Sequence, residues 1–273
     1  GVQTCPLPIW VSATLSDLSL QINQASGKYD PNVNVPGDEL TAQALDWTTA
    51  LDLNADGVFG DVLNPGALLP TPVDLTVSLK GPLLQVSGRL AELNVYDVLV
   101  GSAQFALSTQ TVDVKLSASE TISGAGLLTF VLSDLDLYAG YQGMGVQLTG
   151  GSLSVATITA NKTPATDVKD KRSWTALSAA IGSAGLVGID RVSATLSDLS
   201  LQINQASGKY DPNVNVSGDE LKAQALDWTT ALDLNADGVF GDVLNPGALL
   251  PTPVDLTVSL TGPLLQEIGR AHV

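Results

Sequence analysis

The stretch Leu128-Thr129-Phe130-Val131-Leu132-Ser133-Asp134-Leu135-Asp136-Leu137 decides the fold. Leu128, Phe130 and Leu132 recur at every second residue. After Ser133-Asp134 the alternation resumes at Leu135 and Leu137, one step out of phase. Period two is the signature of a strand, because successive side chains leave a pleated backbone on opposite sides. A slip of one residue at a Ser-Asp pair predicts a β-bulge. Working outward, Ala13 and Leu15 give way to Leu18, Leu20 and Ile22 across Ser16-Asp17 in the same manner. Val112, Val114 and Leu116 alternate, as do Val73, Leu75, Val77 and Leu79, and less regularly Leu153, Val155 and Ile158. Leu45, Trp47, Leu51 and Leu53 read as another strand in preference to a helix starting at Asp38. Thr175–Ile181 is the remaining helix candidate.

Turn residues punctuate these runs at Ser26-Gly27, Pro36-Gly37, Asn64-Pro65-Gly66, Lys80-Gly81-Pro82 and Gly150-Gly151. The expectation is an all-β chain of about ten short antiparallel strands per unit, with one face packed and one wet. Two architectures satisfy it: a sandwich or rolled sheet, or an elongated, solenoid-like continuous sheet.

The chain also repeats itself. Residues 11–85 match residues 192–266 with three differences: Pro36 against Ser217, Thr41 against Lys222, and Lys80 against Thr261. This divides the chain into a first β unit, 11–191, and a partial second unit, 192–266. The match stops abruptly at both ends. Residues 1–10 and 267–273 resemble translated sequencing-library adapters, with Ile268-Gly269-Arg270-Ala271-His272-Val273 the clearest part. Cys5 and His272, the chain's only Cys and His, lie in these ends.

Composition narrows the function. Of 273 residues, 44% are apolar, 5% aromatic and 15% charged, and the net charge is −16. Such acidity argues against a nucleic-acid partner. No apolar run reaches the roughly 18 residues of a spanning helix, so no transmembrane segment of that kind is expected. One Cys excludes an internal disulfide framework. Without His or Cys in residues 11–266, the commonest general base and the thiol nucleophile are missing, so no catalytic residue is assigned. Carboxylate pairs of glycosidase type have little support, because the acids recur in turn contexts. Gly124-Ala125-Gly126 reads as a plain turn, not a phosphate loop.

The sharpest local signal is Asp52-Leu53-Asn54-Ala55-Asp56-Gly57-Val58-Phe59-Gly60-Asp61, copied as Asp233, Asn235, Asp237, Gly238, Val239 and Asp242. D-x-N-x-D-G is the first half of an EF-hand-type calcium loop. Asp52, Asn54 and Asp56 would offer side-chain oxygens, Val58 a carbonyl, and Asp61 would replace the missing Glu, with Asp233, Asn235, Asp237, Val239 and Asp242 doing the same in the second copy. Three carboxylates roughly 6 Å apart repel by ~1–3 kcal/mol per pair, which a Ca²⁺ ion would relieve. The alternative is an Asx-rich turn with solvated carboxylates. A second oxygen-rich loop, Asp30–Asn34 with Gly37-Asp38-Glu39 and its copy Asp211 to Glu220, reads as a solvated turn. So does the charged segment Lys162–Arg172. Trp47 and Trp228 sit on apolar strand faces and are expected in the core.

The order of Gly143-Met144-Gly145-Val146, Leu153-Ser154-Val155-Ala156, Ser173-Trp174-Thr175-Ala176-Leu177, Gly182–Ile189, Val192–Asn204 and Val86-Ser87-Gly88 through Gly101–Phe105 resembles the long β-rich tandem repeats of giant, adhesin-like bacterial surface or secreted proteins. The resemblance implies a non-catalytic structural or adhesive repeat, extracellular or on the cell surface, and the acidic loops add the expectation that Ca²⁺ stiffens it. Its partners would be neighbouring repeats and a surface glycan or protein receptor. A carbohydrate- or apolar-ligand-binding module, a secreted hydrolase fragment and a membrane β-barrel are the competing expectations.

Overall fold

Long, bulged strands with tight turns at their ends build one sheet. The computed structural model describes residues 10–32, 39–72, 74–75, 83–160, 170–212, 218–235, 237–254, 256 and 264–272. In chain order the strands are β1 (Val11–Asn23), β2 (Lys28–Tyr29), β3 (Leu40–Thr41), β4 (Leu83–Val95), β5 (Leu99–Lys115), β6 (Thr121–Tyr141), β7 (Met144–Thr159), β8 (Ser173–Val187), β9 (Thr195–Ser207), β10 (Lys209–Tyr210), β11 (Leu221–Lys222), β12 (Leu232–Asp233) and β13 (Leu264–His272). No helix occurs among the described residues. The eight long strands stand in the order β1-β4-β5-β6-β7-β8-β9-β13, all neighbours antiparallel, and β12 adds to the sheet against β5. The other two-residue strands pair apart from it, β2 with β3 and β10 with β11. The long strands thus share one open sheet and do not form two facing ones.

The turns explain this meander. Tyr96 and Asp97, between β4 and β5, have φ of 57° and 55°. Gln142 and Gly143, between β6 and β7, have φ of 52° and 81°. Two successive positive φ values are the geometry of a type I′ hairpin, whose twist matches that of the flanking strands. Beside the second turn, Gly140 pairs with Gly145, and a methyl group on either would stand within 2.3 Å of backbone oxygen on the facing strand. The bulges fall where the alternation slips. Asp17, Asp134 and Asp198 have φ of 53°, 48° and 53°, and the registers of β1 with β4 and β6 with β7 shift there. Asp tolerates this left-handed conformation better than most residues.

Four sequence expectations are corrected. The strands are fewer and longer than expected, with β6 running for 21 residues. Thr175–Ile181 is the middle of β8 and not a helix, and Gly124-Ala125-Gly126 lies inside β6, with Ala125 buried. The strand expected over Leu45–Leu53 is irregular: Asp46 caps a single turn through the N–H of Thr48, and the Ala50 N–H reaches the Asp46 carbonyl at 2.9 Å. Only the second copy forms a strand there, the two-residue β12. The covered face of β6, which the sequence left open, carries Leu127, Thr129, Val131 and Ser133, all buried, whereas Leu128 is 41% exposed and Phe130 and Leu132 are half-buried. Both faces of β6 carry Leu or Val, so alternation alone could not say which side is covered. The strand expected over Val73–Leu79 lies outside the described residues except for Asp74 and Leu75.

The core forms where residues 221–256 lie across that face. Leu226, Trp228, Ala231, Leu232, Leu244 and Leu256 pack on Val112, Val114, Ala125, Leu127, Ala156, Ile158, Trp174 and Ala176. Leu250 packs separately on Ala106 and Val131. Fully burying one such Leu contributes roughly 1.5–3 kcal/mol. The Lys115 N–H donates to the Ala231 carbonyl at 2.8 Å, so the segment reaches β5 after leaving β9 and crosses the intervening strands.

Candidate functional site: the covering segment, its acidic loop and the open face

The segment is anchored at its start by one buried Asn. Asn204 Nδ2 donates to the Leu226 carbonyl at 2.9 Å, and Trp228 Nε1 donates to Asn204 Oδ1 at 3.2 Å. Trp174 Nε1 donates to the Gln224 carbonyl at 2.8 Å. Asn204 is wholly buried, and a buried amide without partners would cost about 1–3 kcal/mol. The first copy repeats the anchor: Asn23 Nδ2 to the Leu45 carbonyl at 2.7 Å, and Trp47 Nε1 to Asn23 Oδ1 at 3.2 Å. Sequence reading missed both Asn residues. Their only signal was an amide at the end of an otherwise apolar alternation, Leu18, Leu20, Ile22 and its copy.

The acidic loops sit at the far bend of this segment. Asp52 Oδ1 and Oδ2 accept the N–H groups of Asp56 and Gly57 at 3.2 and 2.9 Å. Asn54 Oδ1 accepts Asp56 N–H at 2.8 Å, and Asp56 Oδ1 accepts Val58 N–H at 2.8 Å. Asp61 Oδ2 accepts Leu53 N–H at 2.7 Å. The second loop does the same through Asp233, Asn235, Asp237 and Asp242, with Val239 N–H bound to Asp237 Oδ1 at 2.7 Å. Gly57 and Gly238, both at φ 85°, permit the bend. All ten predicted residues are therefore brought into two like-shaped loops. The side-chain oxygens named here cap their own loop's N–H groups. Among the described residues no three His, Cys, Asp or Glu side chains are grouped to hold a metal ion.

In the other oxygen-rich turn, residues 33–38 and 213–217 lie outside the described residues. Of the rest, Asp30 Oδ1 accepts Asn32 N–H at 2.9 Å. Glu39 pairs with Lys28 at 2.6 Å, holding the Lys28 ammonium above its usual range through that hydrogen bond and its charge. Glu220 pairs with Lys209 in the copy.

The charged segment at 162–172 is not wholly solvated, though 161–169 lie outside the described residues. Arg172 is 5% exposed. Its guanidinium binds Asp170 through Nε and Nη2, the latter at 2.7 Å, and Glu120 at 2.8 Å. It also stacks near the Trp174 and Tyr210 rings, at 5.9 and 5.4 Å from their centres. Burial works against its charge, but its hydrogen bonds to the Asp170 and Glu120 carboxylates and their negative charge outweigh this and raise its pKa. Arg172 lines a cleft of about 680 Å³ between the sheet and the covering segment, with Lys115, Glu120, Glu220, Lys222 and Asp227 at its walls. The charges there balance, so the cleft favours no ion of either sign. Trp174 and Trp228 are buried in the core, so neither ring is open to stack on a carbohydrate, whereas Trp47, expected in the core, is only half-buried.

The uncovered side of the sheet carries the other notable surface. A single row passes across eight strands from Leu20 through Val86, Leu107, Phe130, Val155, Leu177 and Ile203 to Leu265. Phe130 neighbours the buried Val131, so the row faces away from the covering segment. A second row runs through Gly88, Phe105, Leu132, Leu153, Ala179 and Leu201. The Phe105 ring lies over Gly88, where a Cβ would come within 3.1 Å of it. Both rows present mainly apolar side chains to the uncovered side.

No helix among the described residues is long and apolar enough to cross a membrane. No protein-family model matches the chain, and no curated protein or solved structure matches it.

Proposed function

We propose that the chain is a non-catalytic structural or adhesive repeat of a large extracellular or cell-surface protein, built so that successive units prolong one sheet. The observation that carries this reading is the junction. β8, from the first unit, pairs with β9, the copy of β1, over 12 partners in one constant register. β13, whose first three residues Leu264–Gln266 copy Leu83–Gln85 of β4, then pairs with β9 in the register in which β4 pairs with β1. A unit thus contributes β1 and β4–β8, and its near-identical successor begins where it ends. Six strands widen a sheet by about 29 Å. Calcium held by the Asp52–Asp61 and Asp233–Asp242 loops would stiffen each covering segment, and exposed faces would serve adhesion to a glycan or protein receptor.

Two measurements test it. Small-angle scattering of chains with one, two and three units is expected to show the maximum dimension rising by about 29 Å per added unit; no increase contradicts extension. For the calcium part, melting with Ca²⁺ is expected to exceed melting with chelator, and coincident curves remove the metal from the account.

A second reading, an apolar-ligand-binding module, is favoured by the uncovered row from Leu20 to Leu265. Saturable binding of a fluorescent apolar dye, lost when Leu177 is replaced by Lys, would support it.

A further inference from the structure

We propose that residues 40–69 form a preshaped docking strap whose partner is the β5–β8 face of another copy of the unit, standing before it in the same polypeptide. The proposal rests on the repeat reading and names the surface by which one unit holds the next.

The two copies of the strap have the same internal form. Gly60 N–H reaches the Leu51 carbonyl at 2.8 Å, and Gly241 N–H reaches the Leu232 carbonyl at 2.8 Å. Leu75 N–H binds the Leu63 carbonyl at 2.8 Å, and Leu256 N–H binds the Leu244 carbonyl at 3.1 Å. Asp46 accepts the Thr48 hydroxyl and Asp227 the Thr229 hydroxyl, each at 2.6 Å. The Asn anchors are likewise shared.

What differs is the surroundings. Leu226 is 4% exposed against 46% for Leu45, and Leu250 is 5% exposed against 56% for Leu69. Trp228, Leu232 and Leu244 are buried, whereas Trp47, Leu51 and Leu63 are only half-buried. The second strap shows what such a surface fits: Val114, Leu127, Ile158 and Trp174 on the strands N-terminal to it. The first strap carries the same side chains in the same arrangement, and the strands N-terminal to it in that register would belong to a preceding copy. The sheet edge agrees. β9 is flanked by β8 and β13, whereas among the described residues β1 pairs with β4 alone. One occupant, a preceding copy of β5–β8, satisfies both the strap and the β1 edge. Leu51-Asp52 would then pair with that copy's Asp113-Val114, as Leu232-Asp233 does here.

Hydrogen exchange read by mass spectrometry tests this directly. Residues 43–69 and 224–250 are identical in sequence, so their peptides share one mass and report both straps together. In this chain the peptides are expected to give two envelopes, with the first strap exchanging on the order of tenfold faster or more. A second chain carries an added copy of residues 83–191 ahead of Val11, joined as Arg191 joins Val192. There the envelopes are expected to merge into one slow envelope. Val114→Asp in the added copy alone is expected to restore the fast one. A single envelope in the present chain, two envelopes persisting in the extended chain, or no effect of Val114→Asp would each overturn the proposal. None of these outcomes bears on whether the parent protein contains further units, which its coding sequence reports independently.

Discussion

Single side chains decide whether the covering segment keeps its shape. Asp227 accepts the Thr229 hydroxyl at 2.6 Å and the Thr229 N–H at 3.1 Å. The Thr229 hydroxyl is the larger influence, and together these bonds hold the Asp227 carboxyl below its ordinary range against the opposing effect of burial. A carboxyl whose folded pKa is depressed stabilises the fold above its unfolded value, near 4, and loses that contribution as pH falls through the folded value. Asp227→Asn is therefore expected to lower denaturant stability at pH 7, with the gap to the parent chain closing below about pH 4. A gap of constant size from pH 7 to pH 2 would contradict the assignment. The residue scale was also the hardest to read in sequence. The loop Asp52–Asp61 was legible because Asx and Gly residues make their turns locally. The pairing of Arg172 with Glu120, across 52 positions of chain, leaves no local signature.

Among elements, the bulges carry the clearest sequence signal and the firmest prediction. At Asp198, φ is 53°, a value that Gly adopts freely and a β-branched residue resists. Asp198→Gly is expected to leave stability within about 0.5 kcal/mol, and Asp198→Val to cost ~1–2 kcal/mol, both read by denaturant unfolding. Equal effects would mean that the strand does not need the left-handed residue. The Ser-Asp phase slips at 16–17 and 133–134 were readable because a shifted alternation has one simple physical cause. The covering segment was not. Leu45, Trp47, Leu51 and Leu53 alternate as a strand would, but Asp46 bonds its own following Thr48 and breaks the ladder. Its apolar residues answer to a surface far away in sequence, which no local period encodes. For the same reason the covered face of β6 could not be chosen between Leu128 and Leu127.

For the whole molecule, the account is that near-identical blocks prolong one antiparallel sheet and tie each block to the previous one by its strap. Strand alternation made the all-β class and the antiparallel order legible. The match at offset 181 marked two like stretches of chain, and neither signal revealed that β8 and β9 would join edge to edge across the junction. The most direct test is electron cryo-microscopy of a chain carrying three successive copies of residues 11–191. The account predicts one unbroken antiparallel ladder, advancing by about 29 Å per copy, with a strap across every face that has a copy after it. Separate sheets, each closed within its own copy and joined only by linker, would contradict it.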